Sequence, residues 1–262
     1  MKLYLKTYWR FLVVNLAEFH AYRMNLINTL ISSLTWGIFS IIGPLLLTSR
    51  VSIVAGWKRE DLLILVAAQS VLVGIYDCIF GRNLNLLPRY SELGQLDSFL
   101  LKPINEQFFI SLQKINYGSL LRSLIGVLFF LYLVFSYKTQ LTISGLFIAG
   151  LSLLMGLLTL YGIWFMAMTL TVWFPRISNI SDLLYTLRGI TRYPEQIIRE
   201  VSIYVFILFF PLTFVASRPS AILLQKLGTD QIFLCFGVMV VVLFLSRKFW
   251  LYALRSYTSA SS

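Results

Sequence analysis

The chain has 262 residues, of which 58% are hydrophobic and only 13% are charged, and its net charge is +11. A soluble domain carries about 45–50% apolar and about 25% charged residues, so the composition excludes an ordinary water-soluble protein. The 22 basic residues lie in short segments between apolar runs, which indicates topology signals and lipid contacts and argues against nucleic-acid binding.

Residues 1–25 precede the first long apolar run and predict an amphipathic helix. Lys6, Arg10 and Glu18 fall between the apolar positions of a three-to-four repeat. Tryptophan and basic residues in such a helix favour the membrane interface over a buried location. The apolar positions of the repeat are Leu5, Trp9, Leu12, Leu16 and Phe19.

Six apolar runs follow, and a membrane-spanning helix needs about 20 residues. The fourth run ends at Pro175-Arg176. Two spans and a turn need more than about 40 residues, so we expect that run to form one long helix. The predicted fold is therefore an all-α membrane protein with six transmembrane helices. The runs cover residues 26–48, 62–80, 117–137, 141–174, 201–216 and 232–245.

The distribution of lysine and arginine predicts the orientation of the chain. The N-terminal segment, residues 82–122, residues 176–199 and the C-terminal segment together carry 16 basic residues, whereas the alternate segments carry 6. Basic residues are retained on the cytoplasmic side. We therefore expect both termini of a multi-pass protein to be cytoplasmic, which six spans require.

The segment 82–116 is the longer of two segments predicted to lie in the cytoplasm, the other being 175–200. It contains Pro88, Gly94 and Pro103 among charged residues of both signs. Such punctuation predicts short helices separated by turns outside the membrane.

No catalytic or metal-binding pattern occurs in the sequence. Glycine never precedes lysine, so the phosphate-binding loop of nucleotide hydrolases is absent. His20 is the single histidine, and Cys78 and Cys235 have no metal-binding spacing. We therefore expect a chain that is not an enzyme and binds no cofactor itself.

Asp77 and Arg122 are ionisable residues inside apolar runs, near the predicted cytoplasmic ends of their spans. Burying a charge in a membrane is costly, so the two either reach the interface or form a structural ion pair. The alternative is a proton or ion site. An ion-coupled transporter generally needs a carboxylate near the middle of the bilayer. Asp77 lies near the end of its span, which disfavours a proton or ion site.

Aromatic residues are abundant in the later spans. Most are expected to face lipid or pack between helices, whereas a minority could line a route for an apolar or amphiphilic cargo. Ser152 and Gly156 form a small-xxx-small pair that weakly indicates a helix contact. The candidates for the route are Tyr161, Trp164, Phe206, Phe209 and Phe210.

The stretch Gly94-Gln-Leu-Asp97-Ser-Phe-Leu-Leu-Lys-Pro103 resembles the signature of ABC-2 type transporter permeases. Lys102 stands where that family usually has arginine, which keeps the charge but loses the bidentate fork. The amphipathic N-terminal helix before six spans is similar to that family's layout. Tyr193-Pro194, Pro211 and Pro219 resemble a subfamily whose permeases are usually paired with a paralogue and a separate ATPase.

The resemblance implies that the whole chain, 1–262, is one transmembrane domain with a short coupling helix that docks on an ATPase. Residues on or beside that helix would be Arg89, Tyr90, Glu92 and Leu93, followed by Gly94, Leu96 and Asp97. The alternative is that these residues merely cap the entry to the third span. The family also implies that residues 211–230 form an extracellular re-entrant hairpin before the last span.

The function implied is the permease half of an ATP-driven exporter in a bacterial cytoplasmic membrane, moving a hydrophobic or amphiphilic cargo. Its partners would be a separate ATPase, which binds ATP and Mg²⁺, a second permease that is identical or paralogous, and membrane lipids. The alternatives are a membrane scaffold or assembly subunit without transport activity and an ion-coupled secondary transporter.

Overall fold

A computed structural model describes residues 2–21, 23–47, 53–137, 142–174 and 179–257. Within these ranges the protein is helical except for turns and one short hairpin of strands β1 (Ile53–Val54) and β2 (Trp57–Lys58). The helices are α1 (Lys2–Ala21), α2 (Arg23–Leu47), α3 (Arg59–Tyr76), α4 (Arg82–Asn85), α5 (Leu87–Glu92), α6 (Leu96–Leu100), α7 (Glu106–Leu112), α8 (Leu120–Tyr137), α9 (Ile143–Thr169), α10 (Ile180–Arg188), α11 (Glu195–Val201), α12 (Ile203–Thr213), α13 (Ser217–Leu223) and α14 (Gln231–Ser256).

Five helical stretches in the described part of the chain are long and apolar enough to cross a membrane, which makes this a multi-pass membrane protein. They coincide with predicted spans one, two, three, four and six. The fourth is a single long helix, as expected, although Pro175-Arg176 lies outside the described residues. The five stretches are Ile27–Leu46, Arg59–Glu92, Tyr117–Tyr137, Ile143–Val172 and Gln231–Ser256.

The second stretch is longer than its sequence pattern indicated, because α3 continues through a π-helical turn, Asp77–Gly81, into α4 and α5. A π turn holds one residue more than an α-helical turn and is frequent at functional sites. The helix beginning beside the β hairpin therefore extends, nearly unbroken, into segment 82–116.

Helix α3 is central, and α8 packs closely against it. A methyl group at Gly74 would collide with Ser123, and one at Gly126 would collide with the backbone of Val71. The Ser123 hydroxyl donates a hydrogen bond of 2.9 Å to the Val71 carbonyl. Small residues thus allow the two backbones to approach, as is common between membrane helices.

Helices α9 and α14 form the second close pair. Gly162 faces Val242, and Phe165 packs edge-on against Trp250 with ring centroids 5.3 Å apart. Both aromatic residues are buried. Through this pair, the buried core extends from α3 to the C-terminal part of α14.

The β hairpin closes the end of the molecule at which α3 begins. Ala55 and Gly56 both have positive φ, as the tight primed turns of hairpins require. The Lys226 ammonium lies 2.9 Å from Asp61 and donates to the Gly56 carbonyl. We call this region, with residues 53–61 and 226, the hairpin end.

The predicted fifth span, 201–216, differs from the structure. It is divided between the end of α11, an extended Ser202, α12 and a turn after Thr213. The preceding stretch, which the sequence predicts to be cytoplasmic because it is charged, runs alongside α3 toward the hairpin end. Arg188, Thr191 and Gln196 each meet a polar partner along that path. Successive contacts are Asp77–Arg188, Gln69–Thr191 and Trp57–Gln196.

The region predicted as a re-entrant hairpin, 211–230, contains the short buried helix α13. Helix α13 packs on α9 and α3. A methyl group at Gly156 would collide with the backbone carbonyl of Val215, and Ser152 is fully buried one turn away. The small pair therefore accommodates the turn before α13 rather than another long helix.

Helix α1 lies against segment 82–116. The Asn15 amide donates to the Gln113 carbonyl and accepts from the Ile115 backbone amide. Leu5 and Trp9, from its apolar repeat, are exposed. One face of α1 is thus fixed to the protein, and an apolar face is left free, as an interfacial helix requires.

Candidate functional site

Segment 82–116, which we call the platform, is held together by side-chain contacts to the backbone. The Asn83 amide donates to the Lys114 carbonyl at 2.7 Å and accepts from the Lys114 backbone amide at 2.8 Å. The carboxylate of Glu18 on α1 lies 3.3 Å from the Lys114 ammonium. The platform is therefore a fixed surface rather than a loose connection.

One edge of the platform is exposed and carries three of the predicted coupling residues. Arg89, Glu92 and Leu93 are exposed, and half of the Leu93 surface, 52%, is accessible. Gly94 follows with φ of +65°, the left-handed conformation that favours glycine. This platform edge, Arg89–Gly94, combines an apolar side chain with charges of both signs.

The other predicted coupling residues support that edge from beneath. The ring of Tyr90 packs edge-on against Phe99 at 5.0 Å, and its hydroxyl accepts a hydrogen bond from Gln113. Leu96 is fully buried. Because Tyr90 is packed beneath the edge, Leu93 is the more accessible apolar side chain of the two.

Asp97 lies beside the end of the last helix. Burial raises the pKa of the Tyr257 phenol, and the Asp97 charge raises it further. Asp97, three residues after the platform edge, is therefore a neighbour of the C-terminal end of α14.

The end of α14 is fixed to the platform through Glu106. Its carboxylate accepts from Arg247 at 2.7 Å and from the indole of Trp250 at 3.3 Å. Burial alone would raise the pKa of Glu106, but its backbone amide and Arg247 outweigh burial and hold that pKa below its ordinary value. The carboxylate is thus stabilised in its charged form.

Lys102, the residue that departs from the family signature, stacks on aromatic rings. Its ammonium lies 3.7 Å from the ring centroid of Phe109 and 5.1 Å from that of Phe99. Burial lowers the pKa of Lys102. The positive charge serves a cation–π contact, which either lysine or arginine can make.

A second cluster of charges surrounds Asp77, in the π turn. The structure brings Asp77 and Arg122 together, with 3.6 Å between their side chains. Arg188 of α10 lies closer, with its guanidinium 2.7 Å from the other carboxylate oxygen. Asp77 therefore bridges two arginines, of which the sequence indicated one.

Arg192 follows Arg188 by one helical turn and faces the same cavity. It lines that cavity together with Arg122 and Arg188. We call Asp77, Arg122, Arg188 and Arg192 the arginine cluster. Among the described residues, Arg192 has no acidic partner. Its Nε–H and that of Arg122 donate to no acceptor there, although both atoms are buried.

Two adjoining cavities, of about 360 and 500 Å³, open at this cluster. Both are bounded by Trp36, Asp77, Arg122 and Tyr185. The smaller cavity also meets a polar face of α2, formed by Asn28, Thr29, Ser32 and Ser33. The larger is also lined by Gln69, Thr186, Arg188, Gly189 and Arg192.

Two of the five aromatic residues predicted for a cargo route lie in the core. Trp164 is 1% exposed and packs against Tyr76, and the Tyr161 hydroxyl is hydrogen-bonded to Ser111 and Gln107. Phe206, Phe209 and Phe210 lie on α12 and are partly buried, and Phe209 packs against the same core as Trp164. Among the described residues that line the two cavities, none is one of these five.

Arg188, Arg192 and the polar face of α2 were not identified from the sequence. Two signals were present: arginines spaced by four residues, and polar residues at positions 28, 29, 32 and 33 within an apolar run. Helical spacing places such residues on one face. Because residues 175–200 are charged, they were predicted to lie in the cytoplasm rather than beside Asp77.

The comparisons with known proteins give one match. The model of a family described as ABC-2 family transporter protein matches residues 34–261, and thus every described helix from α3 to α14. Searches of curated proteins and of solved structures found no match.

Proposed function

This chain belongs to the ABC-2 family of transporter proteins and is a membrane component of an ABC transport system, and on that premise we propose that it is the permease subunit of an exporter driven by a separate ATPase. ATP and Mg²⁺ would bind to that ATPase. A second permease, identical or paralogous, would complete the pathway. Both termini would face the bacterial cytoplasm, so that the platform and the ATPase lie on the same side.

The platform edge is the observation that carries the proposal. It presents the exposed Leu93 together with the charges of Arg89 and Glu92, and protein interfaces commonly combine an apolar centre with a polar rim. Tyr90, Leu96 and the contacts of Asn83 support it from below. A surface that receives force from a partner needs such rigid support.

The helix from Arg59 to Glu92 supports a route for transmission of force. Fifteen residues separate Asp77 from Glu92, a distance of about 22 Å at 1.5 Å per residue. Movement of the platform edge would therefore shift the arginine cluster. Closure of two ATPases would bias paired permeases from an inward-accepting to an outward-releasing state.

The charge balance at Asp77 disfavours ion-coupled transport, the alternative class. Asp77 lies within 4 Å of two guanidinium groups and is engaged by both, so it serves as a structural bridge rather than as a free carboxylate for a transported ion. We also propose that residues 211–230, including α13, form a re-entrant segment that closes the external exit of the transport pathway.

The test is co-purification of the permease with a candidate ABC ATPase subunit from the same organism, followed by assays of ATP hydrolysis and of cargo release from vesicles. Glu92→Lys and Leu93→Ala are expected to weaken assembly or to uncouple hydrolysis from transport, with insertion into the membrane unchanged. Tyr90→Ala is expected to lower thermal stability as well, because Tyr90 supports the edge.

Glu200→Lys is the matched control. It reverses an exposed glutamate on α11, whose Gln196 contacts Trp57 at the hairpin end. Normal assembly and coupling in this variant are expected. Normal assembly and coupled transport in Glu92→Lys and Leu93→Ala as well would remove the platform edge from the mechanism, and transport driven by a proton gradient without nucleotide would contradict the exporter assignment.

A further inference from the structure

We infer that the arginine cluster and its two cavities form a binding site for an oxyanion, and that the natural occupant is the phosphate-bearing headgroup of an amphiphile. Three guanidinium groups and one carboxylate meet there. The site has a net charge of +2 when all four groups are ionised. Guanidinium groups match phosphate in shape, because their parallel N–H donors bind two oxygens at once.

The surplus of positive charge is the first observation. All eleven carboxylate side chains of the sequence lie in the described part of the chain, and within it Asp77 alone pairs with these arginines. Burying unpaired charges costs several kcal/mol for each ion. A cluster with this surplus is expected to recruit an anion.

The second observation is an unused donor that is already buried. Arg122 is only 9% exposed, and its Nε has no partner among the described residues. The same holds for the Nε of Arg192 in the larger cavity. Asp77 engages other atoms of Arg122 and Arg188, so it orients these side chains without satisfying all their donors.

The dimensions and walls of the cavities fit a headgroup. A volume of about 500 Å³ lies within the range of about 300–1,000 Å³ that small-ligand sites occupy. Gln69 lines this cavity, and its buried carboxamide oxygen has no partner among the described residues. Ser32 and Ser33 add hydroxyl-bearing side chains to the lining of the smaller cavity.

The apolar part of the ligand would lie over α2. Trp36 bounds both cavities and is 63% exposed. Ile31 and Leu34 are also exposed on that helix. A charged pocket beside an exposed apolar surface suits a molecule with an anionic head and an apolar tail, rather than a free ion alone.

Binding at this site stands on the cluster geometry alone, whereas its identification as a cargo site rests on the proposed function. The binding test therefore uses the purified permease in non-ionic detergent, without ATPase or nucleotide. Failure of binding would leave the exporter assignment intact, and failure to recruit an ATPase would leave the binding site intact.

Microscale thermophoresis would measure the Kd of the permease for short-chain phosphatidic acid, for the matching diacylglycerol and for inorganic phosphate. We expect phosphatidic acid to bind at least about tenfold more tightly than diacylglycerol, because the charged hydrogen bonds are absent from the latter. Arg192→Gln is expected to weaken phosphatidic acid binding about tenfold. Arg122→Lys keeps the charge, loses the fork and is expected to weaken binding less.

Arg199→Gln, which neutralises an exposed arginine on α11, is the control and is expected to leave the Kd unchanged. Inorganic phosphate that binds as tightly as phosphatidic acid, with the same dependence on Arg192, would overturn the amphiphile as the occupant and leave a free-oxyanion site. Equal affinity for diacylglycerol and phosphatidic acid, or equal binding by wild type and Arg192→Gln, would overturn the site itself.

Discussion

The platform and the arginine cluster use charge in opposite ways. On the platform, acids meet nearby bases: Glu18 lies beside Arg82 and Lys114, and Glu106 beside Arg247. At the cluster, one aspartate pairs with two of the three arginines in a more buried setting, and the third has no acidic partner among the described residues. Balanced and partly exposed pairs position helices at small energetic cost. A buried surplus is expensive, which indicates that it is retained for a ligand.

Replacing Asp77 should give the largest effect, because it removes the only acid of the cluster. Asp77→Asn is expected to destabilise the protein by about 3–5 kcal/mol, since two buried guanidinium charges lose their partner. The measurement is thermal unfolding of the detergent-solubilised protein. Glu106→Gln on the platform is the control, expected to cost about 1 kcal/mol or less. Equal losses of unfolding free energy in Asp77→Asn and Glu106→Gln would contradict the proposed difference between the arginine cluster and the platform.

A double-mutant cycle should sharpen the comparison further. Asp77→Asn and Arg122→Gln are expected to show a coupling free energy of about 0.5–3 kcal/mol, because each single change strands the other charge. The measurement is the unfolding midpoint of both single variants and the double variant. Strictly additive losses would mean that Arg188, at 2.7 Å, carries the whole interaction with Asp77.

Backbone conformation at the platform edge gives an intermediate effect. Gly94→Ala is expected to cost about 1–2 kcal/mol, since φ of +65° places a Cβ in the disfavoured left-handed region. Gly150→Ala in α9 is the matched control, because an added methyl group meets nothing within 4 Å there. That variant should be neutral or slightly more stable. The readouts are thermal unfolding and pull-down of the ATPase.

The smallest expected effect is a dependence on pH at Glu106. The folded protein holds the pKa of Glu106 below its ordinary value of 4.5. The ionised carboxylate therefore adds stability above pH 4.5, and this contribution is lost as the pH falls through the lower, folded pKa. Unfolding midpoints of wild type and Glu106→Gln should converge in strong acid. A constant difference between them would show that charge does not explain the contact.

Most of the long helices could be predicted because the length of an apolar run can be read directly from the sequence. Twenty apolar residues indicate a span whatever surrounds them, so five of the long helices follow from composition. The left-handed turn at Gly94 was likewise predictable, because it depends on the preferences of one residue.

The path of residues 188–196 was not predictable from local sequence. Arg188 and Arg192 indicate a solvated segment unless their partner is known, and Asp77 is more than a hundred positions away. Since a buried charge is tolerated only with a partner, its location depends on tertiary contacts. Asp77 and Arg122 were predicted as a pair because both interrupt apolar runs. Arg188 and Arg192, the other two members of the cluster, lie in a charged segment where an arginine is not unusual.

The π turn at Asp77–Gly81 has a consequence for how related chains should be aligned. Each helical residue advances the chain by about 100° around the axis, and the π turn contains one residue more than an α-helical turn. Apolar periodicity before Asp77 is therefore out of phase with periodicity after Gly81 by one position. Deleting one residue within the turn would restore an ordinary helix and keep each half's own pattern. Because the wider turn absorbs the extra residue, this deletion would leave the Arg89–Gly94 edge on nearly the same side relative to α3. A one-residue deletion elsewhere in the helix would instead rotate that edge by about 100° and present a different face to any partner.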